Sequence, residues 1–248
     1  MKKNITIILI GLLLFQCKNK TKSEQTDIEP AFSIEVSDTI VSFEQETEEF
    51  SILEIITDSL RIAENGNYKI SLKQIQATDG VFAEFDFFER NNSNWKHIQN
   101  FRMEKDAITD LSPEFLDYNN DGFNDLTFRN GVAARGSNEL RSLFIFDKEK
   151  KELVYIKNSD SYPNIRYNAE LNCIDAWLIY GGSTTLFLKI ESDTLREFAG
   201  VSLFDTREVF IIDKSGKREI LSQELIKDSV VYRRYSNYSP LKENKEFQ

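Results

Sequence analysis

A single histidine, His97, and two cysteines, Cys17 and Cys173, are the whole supply of imidazole and thiol in this 248-residue chain. His97 stands two residues after Trp95 in an ordinary strand pattern, and Cys173 lies inside an apolar run, where a thiol behaves as a small hydrophobe. No Ser/His or Cys/His pair and no Cys/His zinc site follow from so few residues. Phosphate loops and dinucleotide fingerprints are also missing, because Gly181-Gly182-Ser183 lacks the lysine and the strand-to-helix context they need. Positive charge is in deficit: 31 Lys and Arg stand against 41 Asp and Glu, for a net charge of -10 and no basic patch. That balance argues against nucleic acid and favours cationic partners. The enzymatic option left open is a carboxylate pair for glycoside hydrolysis, whose separation a sequence does not reveal. Arg135, between Ala134 and Gly136, reads as an anion contact or as a brace paired with nearby carboxylates.

Long apolar runs are missing apart from residues 5–15, which are too few for a stable membrane span. Behind Met1-Lys2-Lys3 they suit the core of an export signal instead. The run ends at Leu14-Phe15-Gln16-Cys17, with Leu14 three residues before the cysteine. This resembles the cleavage box of bacterial lipoproteins and implies a signal peptide over residues 1–16, with lipid on Cys17 anchoring the chain to a membrane. An incidental cysteine in an ordinary secreted protein is the alternative. Lys18, Asn19 and Lys20 follow, without the aspartate associated with inner-membrane retention, so the expected location is the periplasmic face of the outer membrane. Losing Lys2 and Lys3 with the leader takes the net charge from -10 to about -12. With Cys17 lipidated, Cys173 has no thiol to pair with, and stability must come from the core, aided by any bound metal.

Residues 117–125, Asp117-Tyr118-Asn119-Asn120-Asp121-Gly122-Phe123-Asn124-Asp125, have the order and spacing of a calcium loop. Side-chain oxygens of Asp117, Asn119 and Asp121 alternate, so a tight turn brings all three inward. Gly122 supplies the sharp bend, Phe123 offers its backbone carbonyl, and Asp125 holds the ninth position. The twelfth position is Phe128 rather than the bidentate glutamate, and Leu126-Thr127-Phe128-Arg129 reads as a strand, so no EF-hand is expected. A metal-free turn rich in Asn and Asp is the alternative.

Residues 17–49 are polar and weakly patterned and read as a tether. A β-rich domain follows over residues 50–236, with a tail over 237–248. Strand signals recur at 60–63, 68–75, 81–88, 95–103, 126–129, 143–146, 153–156, 209–212 and 218–221, punctuated by turns such as Glu64-Asn65-Gly66-Asn67 and Asn91-Asn92-Ser93-Asn94. Helix is expected only at 109–115 and 221–227. The calcium-like loop occurs once, unlike a propeller with a site in each blade. The expected fold class is mostly β, an antiparallel meander or sandwich with an EF-hand-like calcium loop lacking flanking helices.

A longer pattern joins Phe115 through Leu126 to Gly131-Val132-Ala133-Ala134-Arg135-Gly136-Ser137-Asn138 and Leu143-Phe144-Ile145-Phe146-Asp147. It resembles a family of periplasmic, calcium-binding lipoproteins with a β-rich fold similar to the inhibitors of invertebrate-type lysozyme. Some of these act as immunity proteins against peptidoglycan-hydrolysing effectors. The resemblance covers about residues 110–205 and is negligible before residue 100. In those inhibitors a loop between two strands of the carboxy-terminal sheet, bearing small residues and often a tyrosine, enters the hydrolase cleft. The corresponding candidate is Tyr180-Gly181-Gly182-Ser183-Thr184, between apolar runs at 173–179 and 186–190. It departs from the family because Tyr180 precedes the glycines and Phe187 takes the apolar place after them. The resemblance implies that the Tyr180 ring and Ser183 hydroxyl contact the partner. The alternative is a hairpin turn that needs glycine for its backbone.

The resulting expectation is a non-enzymatic, lipid-anchored protein that inhibits a lysozyme-like peptidoglycan hydrolase, with Ca2+ bracing the scaffold and no nucleic acid partner. The competing expectation is a calcium-stabilised structural or protein-interaction module of the envelope. Recovery of a hydrolase or of an assembly component from the cell's own envelope separates the two. Glycan hydrolysis by the chain itself is a third reading, which needs two carboxylates facing each other across a cleft.

Overall fold

Period-two alternation builds the first sheet. In Gly80–Asn91 (β3), Ala83, Phe85 and Phe87 are buried while Glu84 and Asp86 take the other face. β3 pairs with Tyr68–Ala77 (β2) and Asn94–Glu104 (β4), and β2 pairs with Ser51–Asp58 (β1), giving a four-stranded antiparallel meander. The fold is described by a computed structural model over residues 50–226 and 231–245. The expected signal peptide, Cys17 and the tether lie outside the described residues. So does the end of the expected tail, residues 246–248.

A crossover leads to a three-stranded sheet of Leu126–Ala133 (β5), Asn138–Asp147 (β6) and Glu152–Ile156 (β7). Arg166–Asn168 (β8), Cys173–Ile179 (β9), Ser183–Glu191 (β10), Thr194–Leu203 (β11), Thr206–Ile212 (β12) and Arg218–Leu225 (β13) then form a six-stranded sheet in chain order. A last hairpin pairs Tyr235–Tyr238 (β14) with Leu241–Glu243 (β15). The pairing is antiparallel throughout, so the mostly β expectation holds.

The three-stranded sheet is the middle layer. On one side Phe144 packs with Phe85, Phe101, Phe128 and Tyr155 at ring separations of 5.1, 4.9, 5.6 and 5.0 Å, in the core shared with the first sheet. On the other side Leu143, Ile145 and Ile156 meet Ile174, Ala176, Leu186 and Leu188 of the six-stranded sheet. Burial on both faces is why residues 143–146 read as an unbroken apolar run rather than an alternation. The far face of the six-stranded sheet buries Phe187, Val201 and Val209 against Tyr235, Tyr238 and Leu241. What reads as a tail from residue 237 therefore carries the hairpin that closes this core.

Neither expected helix forms. Residues 109–115 run extended, with Glu114 bridged to Thr127 and Arg129 N–H donating to Leu111 O. Ser112, at φ +40°, precedes Pro113, and a residue before proline is disfavoured in the helical region. Residues 218–225 are the edge strand β13, in which Leu221 is the extra residue of a bulge opposite Val209 and Phe210. Pairing with β12 overrides the helix-like spacing there. The strand signal at 60–63 shrinks to one bridge, Ala63 with Asn124.

Truncating the ring at the centre of the first core gives a direct check. Phe144→Ala should lower unfolding free energy by about 3–5 kcal/mol in urea titrations followed by circular dichroism, against roughly 0.5 kcal/mol or less for the exposed Leu225→Ala. Equal losses would show that the middle layer is not the packing centre.

Candidate functional site

The loop 117–125 hangs between the crossover and β5, and one buried carboxylate fixes it. Asp125 is 0% exposed, its Oδ2 accepts the Tyr118 N–H at 2.8 Å, and its Oδ1 accepts the Phe146 N–H at 2.8 Å. The ninth loop position therefore ties the loop to the end of β6. Burial pushes its pKa up to about 7, with the charges of Asp121 and Asp117 adding to the push and the two N–H bonds opposing it.

The remaining oxygens gather within the loop. Asp121 N–H points at Asp117 Oδ1 (3.1 Å) and Asn119 Oδ1 (3.2 Å), while Asp117 Oδ2 accepts Gly122 N–H at 2.8 Å. Asp121 Oδ1 accepts Phe123 N–H at 3.0 Å, and Asn119 Nδ2 donates to Asp121 Oδ2 at 3.0 Å. Gly122 at φ +91° makes the bend at the sixth position. The Phe123 ring packs on Phe146 at 5.6 Å, anchoring the loop from its apolar side. The loop thus brings Asp117, Asn119 and Asp121 together, whereas Asp125 aims both oxygens at backbone. Among the described residues, no group of three or more His, Cys, Asp or Glu is arranged to hold a metal ion.

The second candidate, residues 180–184, is the turn between β9 and β10. Ile179 pairs with Ser183, Tyr180 N–H donates to Gly182 O at 2.9 Å, and Gly181 has φ +62°. Tyr180 is 60% exposed and Gly181 is exposed beside it. Ser183 is only 1% exposed: its hydroxyl lies 2.9 Å from Val231 O and 3.1 Å from Arg233 O, and it accepts Arg233 N–H at 3.2 Å. That hydroxyl therefore fastens the chain end to β10 and faces away from solvent. Thr184 is half-buried, with Oγ1 3.1 Å from Ser202 Oγ. Gly182 lies under the Phe204 ring, where a Cβ would stand 2.4 Å from Phe204 Cδ1. Asn138 on β6 steadies the tip from below, donating to Ile179 O at 3.3 Å and accepting Ile179 N–H at 3.0 Å.

No family model and no curated protein matches this sequence. The fold is similar to the solved structure of a Xanthomonas Type IV Secretion System related protein, with 12% identity over 68% of this chain and 98% of that one, at a TM-score of 0.42.

Several polar contacts escaped the sequence. His97 Nε2 lies 3.0 Å from Asp86 Oδ1 on the outer face of the first sheet. Arg135 is exposed at φ +57° in the 3-10 turn Ala134–Gly136. Asp175, inside the apolar run of β9, pairs with Arg234, and both are buried. The only sequence signal for that pair is a single Asp interrupting hydrophobic residues, a pattern that gives no hint of its partner.

Asp125 sets a pH dependence. Its folded pKa lies above the 3.8 of a free aspartate, so the folded state holds the extra proton between those values. The stability it contributes is complete below about pH 4 and is lost as pH rises through about 7. Chelator-treated protein should therefore lose more melting temperature between about pH 4.5 and 7.5 than Asp125→Asn does. Parallel melting profiles for the two proteins would remove this role.

Proposed function

We propose that this chain is a non-enzymatic, lipid-anchored envelope protein that binds and inhibits a lysozyme-like peptidoglycan hydrolase. The observation that carries the reading is the Tyr180–Gly181 tip. An exposed aromatic stands on a hairpin whose strands are paired on both sides, β9 with β8 and β10, and β10 with β9 and β11. A tip held this way loses little conformational entropy on entering a cleft, and a tyrosine supplies both ring area and a hydroxyl to its occupant. The net charge of -10 favours encounter with basic partners. The resemblance of residues 110–205 to the inhibitor family points to the same partner class.

The residues available for catalysis support a binding role. Burial first, and Asp175 second, push the Cys173 thiol up to about 12, so it stays protonated and poorly nucleophilic. Calcium belongs to this reading as a brace: Asp117, Asn119 and Asp121 would hold it with the Phe123 carbonyl, and Asp125 would anchor the loop from behind.

Assay of the purified protein against a panel of lysozymes and co-encoded exported hydrolases tests the reading. Inhibition of at least one is expected, and Tyr180→Ala should weaken it by about tenfold or more without changing the fold. No inhibition at high excess across the panel would sink the proposal. Separately, calorimetric titration with calcium after chelation should give heat and a higher melting temperature at neutral pH. Neither signal would leave the loop a metal-free turn.

A further inference from the structure

A cavity of about 200 Å³ opens between the middle sheet, the crossover, β8–β9 and the segment before β14. Its deep wall is two buried guanidiniums. Arg141 on β6 is 4% exposed; its Nε donates to Thr127 Oγ1 at 3.0 Å, its Nη2 to Ser112 O at 2.6 Å, and its Nη1 pairs with Glu139. Arg234 is 1% exposed, with Nε on Asp175 Oδ1 at 2.7 Å and Nη2 on Asn164 O at 2.8 Å. Both guanidiniums are thus fixed in orientation.

The mouth differs. Arg166 is exposed there, and the Glu114 side chain is 47% exposed. Glu114 is held only at long range, 3.4 Å from Arg141 Nη1 and 3.4 Å from the Tyr118 hydroxyl that donates to it. Ile165 and Trp177 give the cavity an apolar side, and the indole Nε1 donates to Arg233 O at 3.1 Å, which sets the ring.

We propose that this cavity binds a small zwitterion of the α-amino-acid class. Three arginines and two glutamates line it; behind them Asp175 balances Arg234, and Arg129, itself paired with Asp110, lies 2.6 Å from Glu139. The cavity is therefore close to neutral and lined by charges of both signs. A simple anion would be attracted by Arg141 and Arg166 and repelled by Glu114 and Glu139. A simple cation meets the reverse conflict. A molecule carrying a carboxylate and an ammonium satisfies both sets with charge-assisted hydrogen bonds, the carboxylate toward the arginines and the ammonium toward Glu114. A short side chain then faces Ile165 and Trp177. The volume equals that of roughly seven waters at ~30 Å³ each, room for a small amino acid and too little for a disaccharide. This site goes beyond the inhibitory reading and does not depend on it.

Calorimetry and thermal shift on the purified protein with alanine, acetate and methylammonium at neutral pH test the proposal. Alanine should bind saturably and about tenfold or more tighter than either singly charged probe. Arg166→Ala and Glu114→Gln, both at the exposed mouth, should each weaken alanine by about tenfold with an unchanged circular dichroism spectrum, while Tyr180→Ala binds it as wild type. Absence of saturable alanine binding, equal binding of acetate or methylammonium, or alanine binding insensitive to both mouth substitutions would each overturn it.

Discussion

The double burial of β6 is the constraint on which the other features depend. Along Asn138–Asp147 the strand has three stretches of different character. Its first stretch is mostly polar: buried Asn138 holds Ile179 below the hairpin tip, and half-buried Glu139 and buried Arg141 form one wall of the cavity. Its middle, Leu143 to Phe146, faces apolar layers on both sides, where every methylene displaced would leave a void or a clash. Its end gives the Phe146 N–H to Asp125 and so fixes the loop. One strand thus sets the positions of the tip, the cavity and the calcium-like loop.

Arg234 and Asp175 persist so close to this core because each satisfies the other. Arg234 and Asp175 form a pair whose partners would each be costly alone: removing one leaves a buried charge, a loss of roughly 3–5 kcal/mol. The pair also ties the segment before β14 to β9, and Tyr235 beside it enters the last core. The carboxyl-terminal hairpin is therefore held by an ion pair on one side and by aromatic packing on the other. Its short strands would be marginal by themselves.

How much of this was legible follows from range. The alternation of Ala83, Phe85 and Phe87 is a local signal, and β2, β3 and β4 appear where such signals put them, whereas the sheet's first strand lies at Ser51–Asp58 and not at 60–63 before the Gly66 turn. The unbroken run 143–146 marked a strand, and its meaning as a middle layer became visible only with both neighbouring sheets in place. The helix expected at 221–227 failed because Ile220, Leu221 and Leu225 have helical spacing but are exposed, and pairing with β12 decides their conformation. In the loop, the convergence of Asp117, Asn119 and Asp121 was readable from spacing. The inward turn of Asp125 depends on Phe146, and that of Ser183 on Val231 and Arg233, contacts that no local pattern carries. The cavity is less legible still, since it gathers residues from 114 to 234.

These positions also bear on whether the loop can act as a sensor. Calcium switching in helix-loop-helix proteins works because binding biases a helix pair between two packings. Here the loop is fastened through Asp125 and Phe123 to a strand whose apolar stretch is packed on both faces, and such a core has one dense arrangement rather than two of similar energy. A cation entering among Asp117, Asn119 and Asp121 would relieve the repulsion felt by Asp125 and stiffen the loop. It would have no second state of β6 to select, so its free energy would go into stability rather than into a signal at Tyr180. On the proposed reading the loop would be a static brace, and recognition would fall to the β9–β10 tip that Asn138 steadies from the other end of the same strand.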